Sequence, residues 1–399
     1  MVMKKLGGWG MSFDWETKRL GEFIELKRGY DLPKAKRKPG KTPLVSSSGI
    51  SDTHDEPMVK GPGVVTGRCG TIGEVFYVRE DFWPLNTTLY VRDFKGNHPE
   101  FVHYFLKTLD FHAYSDKAAV PGVNRNHLHE ALVRTPPVDE QNKIALFLGA
   151  LDDRITLLRE TNKTLESIAQ AIFKSWFVDF DPVRAKMEGR QPEGMDEDTA
   201  ALFPDSFEES ELGLVPRGWR VGKLEDLLVL QRGFDLPAAK RCSGQYPIIA
   251  ASGLAGTHNV AAVKGPGVIT GRSGVLGRVF LELEDYWPLN TTLWVKEFRS
   301  ATPTYAYELL QRLDFSSFNA GSAVPTLNRN HIHSFPQLVP DRACLELYEK
   351  MAIALHERIR LNKLHLNILV SIRDTLLPRL ISGQLRLPEA ENLVQEACA

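Results

Sequence analysis

The chain repeats itself at a constant offset of 204 residues. RGYDLPKAKR at 28–37 is answered by RGFDLPAAKR at 232–241, and KGPGVVTGRCGTIGEVF at 60–76 by KGPGVITGRSGVLGRVF at 264–280. WPLNTTLYV at 83–91 returns as WPLNTTLWV at 287–295, and AAVPGVNRNHLH at 118–129 as SAVPTLNRNHIH at 322–333. Within these blocks 36 of 48 positions are identical, and no net insertion separates Arg28 from His129. A period near 200 residues is several times the roughly 20–50 residues of a solenoid unit, so the repeat predicts two duplicated domains. The repeated words are rich in Arg, Lys, Asn, Thr, His and Gly rather than in core apolar residues. That composition suggests two similar reading heads on one polypeptide.

With 399 residues and 43% hydrophobic content, the chain can bury two cores. No apolar run approaches the roughly 18–20 residues of a membrane span, and the N-terminus MVMKKLGGWGMSFDWE lacks the apolar stretch of a signal peptide. Cys69, Cys242, Cys344 and Cys398 form no CxxC pair. A reduced, cytoplasmic protein that does not touch a membrane is expected. The net charge of −1 hides an uneven distribution, because residues 188–211 hold nine acids against the single base Arg190. Removing that −8 leaves +7 on the rest of the chain, and segments 27–41 and 232–241 are locally basic, as phosphate contacts require. A solvated surface is the competing explanation for such charge runs.

Short β-branched and aromatic runs (63–66, 74–78, 88–91) alternate with GPG, GRCG and WPLN turn signals, and a short helix is expected near 100–110. Beyond each such region apolar residues fall in a 4-3 rhythm. In the first copy these are Leu148, Leu151, Ile155, Leu158, Leu165, Ile172 and Trp176, with Asn162 and Ala169 in the gaps. In the second they are Ala352, Leu355, Ile359, Leu366, Leu369, Leu376 and Leu380, with Asn362 and Arg373 as polar exceptions. The predicted fold class is α+β: two similar globular domains separated by two long helices that form an antiparallel coiled coil, with pseudo-two-fold symmetry. The expected division is a first recognition domain at 1–137, a helix at 138–180, an acidic linker at 181–217, a second recognition domain at 218–340, a helix at 341–385 and a tail at 386–399. In an antiparallel pair the facing residue numbers sum to a constant. If Asn162 faces Asn362 that constant is 524, which pairs Leu148 with Leu376, Leu151 with Arg373 and Ile155 with Leu369. Two buried amides in one layer can satisfy each other, and a buried Asn specifies register. From residue 144 to 176 such a spacer is about 48 Å long.

Four groups could carry chemistry. Arg28, Lys34, Lys36 and Arg37, matched by Arg232, Lys240 and Arg241, suit phosphate or the guanine edge because the arginine fork donates two parallel hydrogen bonds. The alternative is that Arg28 closes a turn on Asp31. Arg68 and Arg272 lie between glycines, on an expected hairpin tip that could probe a groove; GPGVVTG is neither a dinucleotide fingerprint nor a Walker loop. Asn86, Thr87 and Thr88, with Asn290, Thr291 and Thr292, could read adenine or hold phosphate, or could satisfy the backbone of a Trp-Pro turn. The donor-rich run Asn124, Arg125, Asn126 and His127, with Asn328, Arg329, Asn330 and His331, suits base and phosphate contact; loop anchoring and a catalytic base at His127 and His331 are the alternatives. No catalytic residues and no metal site are expected, since nothing resembles a zinc motif, a nuclease carboxylate cluster or an amino-methylation motif.

These parts resemble a known family. PPVDEQ at 136–141 entering the first helix, NKTLESIAQAIFKSWFVDFDP closing it at 162–182, VPRGW at 215–219 and LLPRLISGQL at 376–385 are similar to the specificity subunit of a type I restriction–modification system. The resemblance covers essentially the whole chain. It implies a non-catalytic subunit whose two target-recognition domains each read one half of a split double-stranded DNA sequence. It further implies helices that dock two adenine methyltransferase subunits, with restriction subunits joining that core. No cofactor is expected on this chain; S-adenosylmethionine belongs to the methyltransferase partner. The two domains are more alike than in many members, so the half-sites are expected to be similar, and inverted because the helices are antiparallel. Base differences are expected at Lys34/Ala238, Ser46/Ala250, Ser47/Ala251, Thr71/Val275 and Glu74/Arg278. The alternatives are a duplicated enzyme using His127 and His331, or a partner-binding scaffold.

Overall fold

The computed structural model describes residues 15–116, 122–318 and 326–398. Residues 1–14 of the expected first domain, and the parts of the last repeated block at 118–121 and 322–325, lie outside the described residues. Contacts divide the chain into two units, Met1–Leu158 with Leu364–Ala399, and Arg159–Lys363. Each unit therefore holds one of the two repeated globular regions, half of the first long helix (Val138–Phe177) and half of the second (Arg342–Ile381).

In the first unit a four-stranded antiparallel sheet runs in the order Glu25–Arg28, Thr88–Asp93, Gly63–Gly67, Val75–Val78. Its central strands are buried on both faces, Gly63–Gly67 throughout and Thr88–Asp93 over its first four residues. Successive side chains alternate across the sheet. Val64 and Leu89 pack with Phe101 and Phe105 of the helix Pro99–Lys107, while Val65 and Tyr90 pack with Val45 and Phe82 on the other side. A smaller sheet, Gly49–His54, Thr42–Ser46 and Trp83–Pro84, covers that second face. The strand Glu16–Arg19 pairs with Leu132–Thr135 and closes the domain just before the long helix.

The first long helix begins after two prolines, with Asp139 and Glu140 in its first turn, where carboxylates favour the helix dipole. Gln141 is almost wholly buried and clamps the domain to the helix. Its amide donates to Asn97 Oδ1 at 2.8 Å and to the Pro136 carbonyl at 3.0 Å, and its Oε1 accepts from His98 N at 3.1 Å. The helix ends where Phe180 adopts a left-handed conformation (φ 56°) and Pro182 opens the next helix, Asp181–Met187.

The second unit repeats the sheet as Leu228–Arg232, Thr292–Phe298, Gly267–Gly271, Val279–Glu282. Residues 181–217, expected as an acidic linker, are folded. Helices Asp181–Met187 and Glu197–Ala201 precede a hairpin, Phe207–Ser210 with Gly213–Pro216. Val183 and Phe203 enter the core of this unit, so the acids line the outer face of an ordered segment. The expected tail likewise contains the helix Leu387–Cys398, anchored by Ala390 in the core of the first unit.

Both units pair the helices antiparallel. In the first, Ile144, Leu148, Leu376 and Leu380 share one core. In the second, Asn362 Nδ2 donates to Asn162 Oδ1 at 2.9 Å with both side chains buried, and the Trp176 and Tyr348 rings lie 6.3 Å apart. Both pairs have the sum 524. Arg373, expected opposite Leu151, instead reaches Asp152 at 2.7 Å, and the same carboxylate accepts the Tyr104 hydroxyl at 2.9 Å. The guanidinium is held between two carboxylates, Asp152 on the facing helix and its own neighbour Asp374, each at 2.7 Å. Replacing Asn162 alone by Ala leaves the Asn362 amide buried and unpaired and is expected to cost about 1–3 kcal/mol, read by urea denaturation. Replacing both asparagines by Leu is expected to recover most of that loss.

Candidate nucleic-acid interface

The repeated polar residues of the first unit converge on one carboxylate. Gly29 lets the chain pass against the WPLN turn: a Cβ there would stand 2.2 Å from the Leu85 carbonyl oxygen, so no other residue fits. Tyr30 N donates to the Pro84 carbonyl at 2.8 Å, which brings Asp31 beneath Asn86. Asp31 accepts from Asn86 Nδ2 and from Arg28 Nη2, the latter at 3.4 Å. Arg68 is tied to the same turn, through Nε to the Asn86 carbonyl at 3.3 Å and through its backbone N–H to the Thr87 carbonyl at 2.9 Å. Its own carbonyl accepts from Val123 N at 2.8 Å, which draws the Asn124–Asn126 segment alongside. Arg28, Arg68, Asn124, Arg125 and Asn126 thus line one shallow cleft of about 460 Å³.

The second unit builds the same object. Arg232 meets Asp235 at 3.3 Å, Asp235 accepts from Asn290 Nδ2, and Arg272 Nε donates to the Asn290 carbonyl at 3.3 Å. Leu327 N donates to the Arg272 carbonyl at 2.9 Å, and Arg232, Arg272, Asn328 and Arg329 line the equivalent cleft. Asn330, the counterpart of Asn126, follows in sequence and is exposed.

Several expectations change. Arg68 and Arg272 stand at the base of their loops rather than at a hairpin tip; the tip glycines are Gly70 and Gly73, both with positive φ. Arg28 and Arg232 do close a turn on Asp31 and Asp235, yet each side chain remains about half exposed (51% and 50%), so the pair still presents cationic N–H groups. Thr88 and Thr292 are fully buried, and each hydroxyl donates at 2.7 Å to the carbonyl of Leu85 or Leu289. They shape the turn and have no group left for a ligand. Arg37 is 19% exposed and held by Asp52 at 3.1 Å, and Arg241 donates to the Leu236 and Ala255 carbonyls. Lys34, Lys36 and Lys240 are exposed on short 3₁₀ turns. Asn124 and Asn328 cap the helices Arg125–His129 and Arg329–His333, accepting from Asn126 N and Asn330 N at 3.0 Å. Each has its amide N–H₂ left to offer. Asn86 and Asn290 keep one amide N–H and the carbonyl oxygen, so adenine reading there must share the amide with an aspartate.

The histidines divide by role. His129 and His333 accept backbone N–H bonds through Nε2, from Leu26 at 3.0 Å and Leu230 at 2.8 Å, and burial pushes both rings below the ordinary histidine pKa. They are neutral structural acceptors. His127 and His331 are exposed, and among the described residues no hydrogen bond orients either ring. No cluster of three potential metal ligands occurs among the described residues. Sequence reasoning undervalued Asp31 and Asp235 as organisers of the cluster. Their identity in RGYDLP and RGFDLP was the available signal.

Comparison with known proteins decides what this duplicated cluster belongs to. The family model described as "Type I restriction modification DNA specificity domain" matches residues 13–167, and the second half repeats the words of that segment. The specificity subunit of type I restriction enzyme MjaIX from Methanocaldococcus jannaschii is 24% identical, in an alignment covering 96% of this chain and 88% of that protein. The first part of the chain carries a type I restriction–modification DNA specificity domain, and the whole chain is similar to specificity subunits. The HindI specificity subunit of Haemophilus influenzae is also 24% identical, over 72% of this chain and 77% of its own length. The crystal structure of a type I S subunit from M. genitalium superposes with a TM-score of 0.67 at 16% identity, covering 95% of this chain and 99% of that one, so the fold is shared along essentially the whole chain. Specificity subunits recognise DNA and do not catalyse; the duplicated clefts are the DNA-reading candidates.

Proposed function

We propose that the domains at 1–137 and 218–340 each read one half of an interrupted, near-palindromic double-stranded DNA target. The observation that carries this is the duplicated cleft, in which Arg28, Arg68, Asn124, Arg125 and Asn126 have identical counterparts at Arg232, Arg272, Asn328, Arg329 and Asn330. Identical donor sets favour identical bases. An antiparallel helix pair maps onto itself under two-fold rotation, and two-fold protein symmetry is mirrored in operator symmetry. The long helices then serve as spacer and as the docking surface for two adenine methyltransferase subunits, which carry the S-adenosylmethionine. Where the system includes restriction subunits, these join that core in the cytoplasm. None of the described helices is long and apolar enough to cross a membrane.

Two assays test this reading. The chain without partners is expected to transfer no methyl group from S-adenosylmethionine to DNA and to cleave none; transfer by the chain alone would return His127 and His331 to consideration as bases. In complex with its methyltransferase, DNA affinity is expected to fall linearly on a log–log plot with salt, by a slope of about −0.9 per phosphate contacted. A salt-independent affinity would remove DNA as the ligand.

A further inference from the structure

A second cleft lies in the first unit, on the other side of the Asp31–Asn86 pair. Asp31, Lys34, Ser46, Ser47, Asn86 and Thr87 are among the residues that line it. Carried across by the repeat offset, eight of its twelve lining residues are identical in the second unit. The other four are Lys34, Ser46, Ser47 and Ser51, and every one is replaced by alanine, at Ala238, Ala250, Ala251 and Ala255. In the neighbouring cleft the opposite holds: each arginine and each amide is kept, and only Gly122 and Val123 differ, as Thr326 and Leu327. Loss of polar side chains is therefore confined to one of two adjoining surfaces.

The chemistry of the four differences has a direction. Lys34 is exposed, and among the described residues neither its ammonium nor the Ser47 hydroxyl has an ion-pair or hydrogen-bond partner. At the floor, Thr87 Oγ1 is buried without a partner, whereas in the second unit Thr291 Oγ1 accepts from Ala251 N at 3.3 Å. The Ser46 and Ser51 hydroxyls are engaged by the Gly49 and Leu44 carbonyls, so the first unit offers an ammonium and the Ser47 hydroxyl, where the second presents the exposed methyl of Ala238 above a half-buried to buried apolar wall of Ala250, Ala251 and Ala255. In the major groove a lysine selects guanine through O6 and N7, a serine accepts or donates at any base edge, and an alanine methyl packs on the thymine 5-methyl.

We propose that this second cleft is the specificity-determining surface at which the two half-sites differ. The first unit reads guanine there through Lys34, with Ser47 beside it, and the second unit reads thymine through Ala238. The shared cleft reads the bases that the two halves have in common. This rests on the bipartite DNA reading proposed above.

The test is a methylation map from cells expressing the chain with its cognate methyltransferase, as wild type and as K34A/S46A/S47A/S51A. The wild-type motif is expected to have inverted halves that differ at one or two adjacent positions, with guanine in one half and thymine in the other. The variant is expected to methylate a palindromic motif, with preference at the changed position shifting by about 10–100-fold. The reciprocal variant A238K/A250S/A251S/A255S is expected to shift the other half-site toward guanine, and it keeps the test decisive if the first variant does not fold. A bipartite motif left unchanged by both variants, or one made indifferent at that position instead of switched, overturns the assignment while leaving the bipartite reading intact. Absence of any bipartite motif in the wild type overturns the underlying reading instead.

Discussion

Replacing Phe173 by Ala is expected to destabilise the second unit by about 3–5 kcal/mol, the range for emptying an aromatic site in a packed core. Phe173 is 1% exposed, and its ring lies 5.3 Å from Tyr305 of the recognition domain, 5.8 Å from Tyr348 of the second long helix and 5.4 Å from Phe177. Trp176 adds Phe203 at 5.1 Å, which brings the segment after the helix into the same cluster. The long helix is therefore part of the core of the reading domain. A urea titration of wild type and F173A measures the change. A loss below about 1 kcal/mol would mean that the helix and the domain do not share a core. The functional consequence is orientation: a recognition cleft on a domain fused to its helix is presented at a fixed angle.

Loss of one base-reading arginine is expected to cost about 1–3 kcal/mol in DNA binding and to relax a single position of one half-site. Arg125→Ala and Arg68→Ala are expected to act on the first half-site only, and Arg329→Ala and Arg272→Ala on the other. Arg125 and Arg329 are exposed, and among the described residues no side-chain hydrogen bond or ion pair would be lost with them, so their effect is a cleaner reading of DNA contact. Arg68 and Arg272 also hold the Asn86 and Asn290 turns, and their removal is expected to blunt recognition by the whole cleft. Competition binding against single-base variants of the target separates the outcomes. A loss spread evenly over all sequences, with a shallower salt slope, would assign the arginine to phosphate.

Most of the architecture was legible in the sequence because it rests on periodicity and repetition. The 204-residue offset marks the two domains, and the 4-3 rhythm with one asparagine per helix marks the register that joins Asn162 to Asn362. What escaped depends on contacts between residues distant in sequence. The acidic composition of 188–211 reads as linker, yet Phe203 and Val183 are enough to fold it onto a core. Arg373 was placed correctly on the helix, but nothing local revealed that Asp152 would take it in place of Leu151. At the site, residue type alone could not separate Thr87 from Thr88, adjacent hydroxyls of which the second is consumed by the Leu85 carbonyl. Nor could it show that Ser46, Ser47 and Ser51 line one cleft with Lys34, since a hairpin brings them together.

The central claim is that two alike units read two alike half-sites in inverted orientation. Single-molecule mapping of methylated adenines, in a host that lacks other methylation and expresses this chain with its cognate methyltransferase, tests it most directly. The expected result is one interrupted motif whose halves are inverted and share most of their bases, with one methylated adenine in each half on opposite strands. Two unrelated half-sites, directly repeated halves or a continuous uninterrupted motif would contradict it.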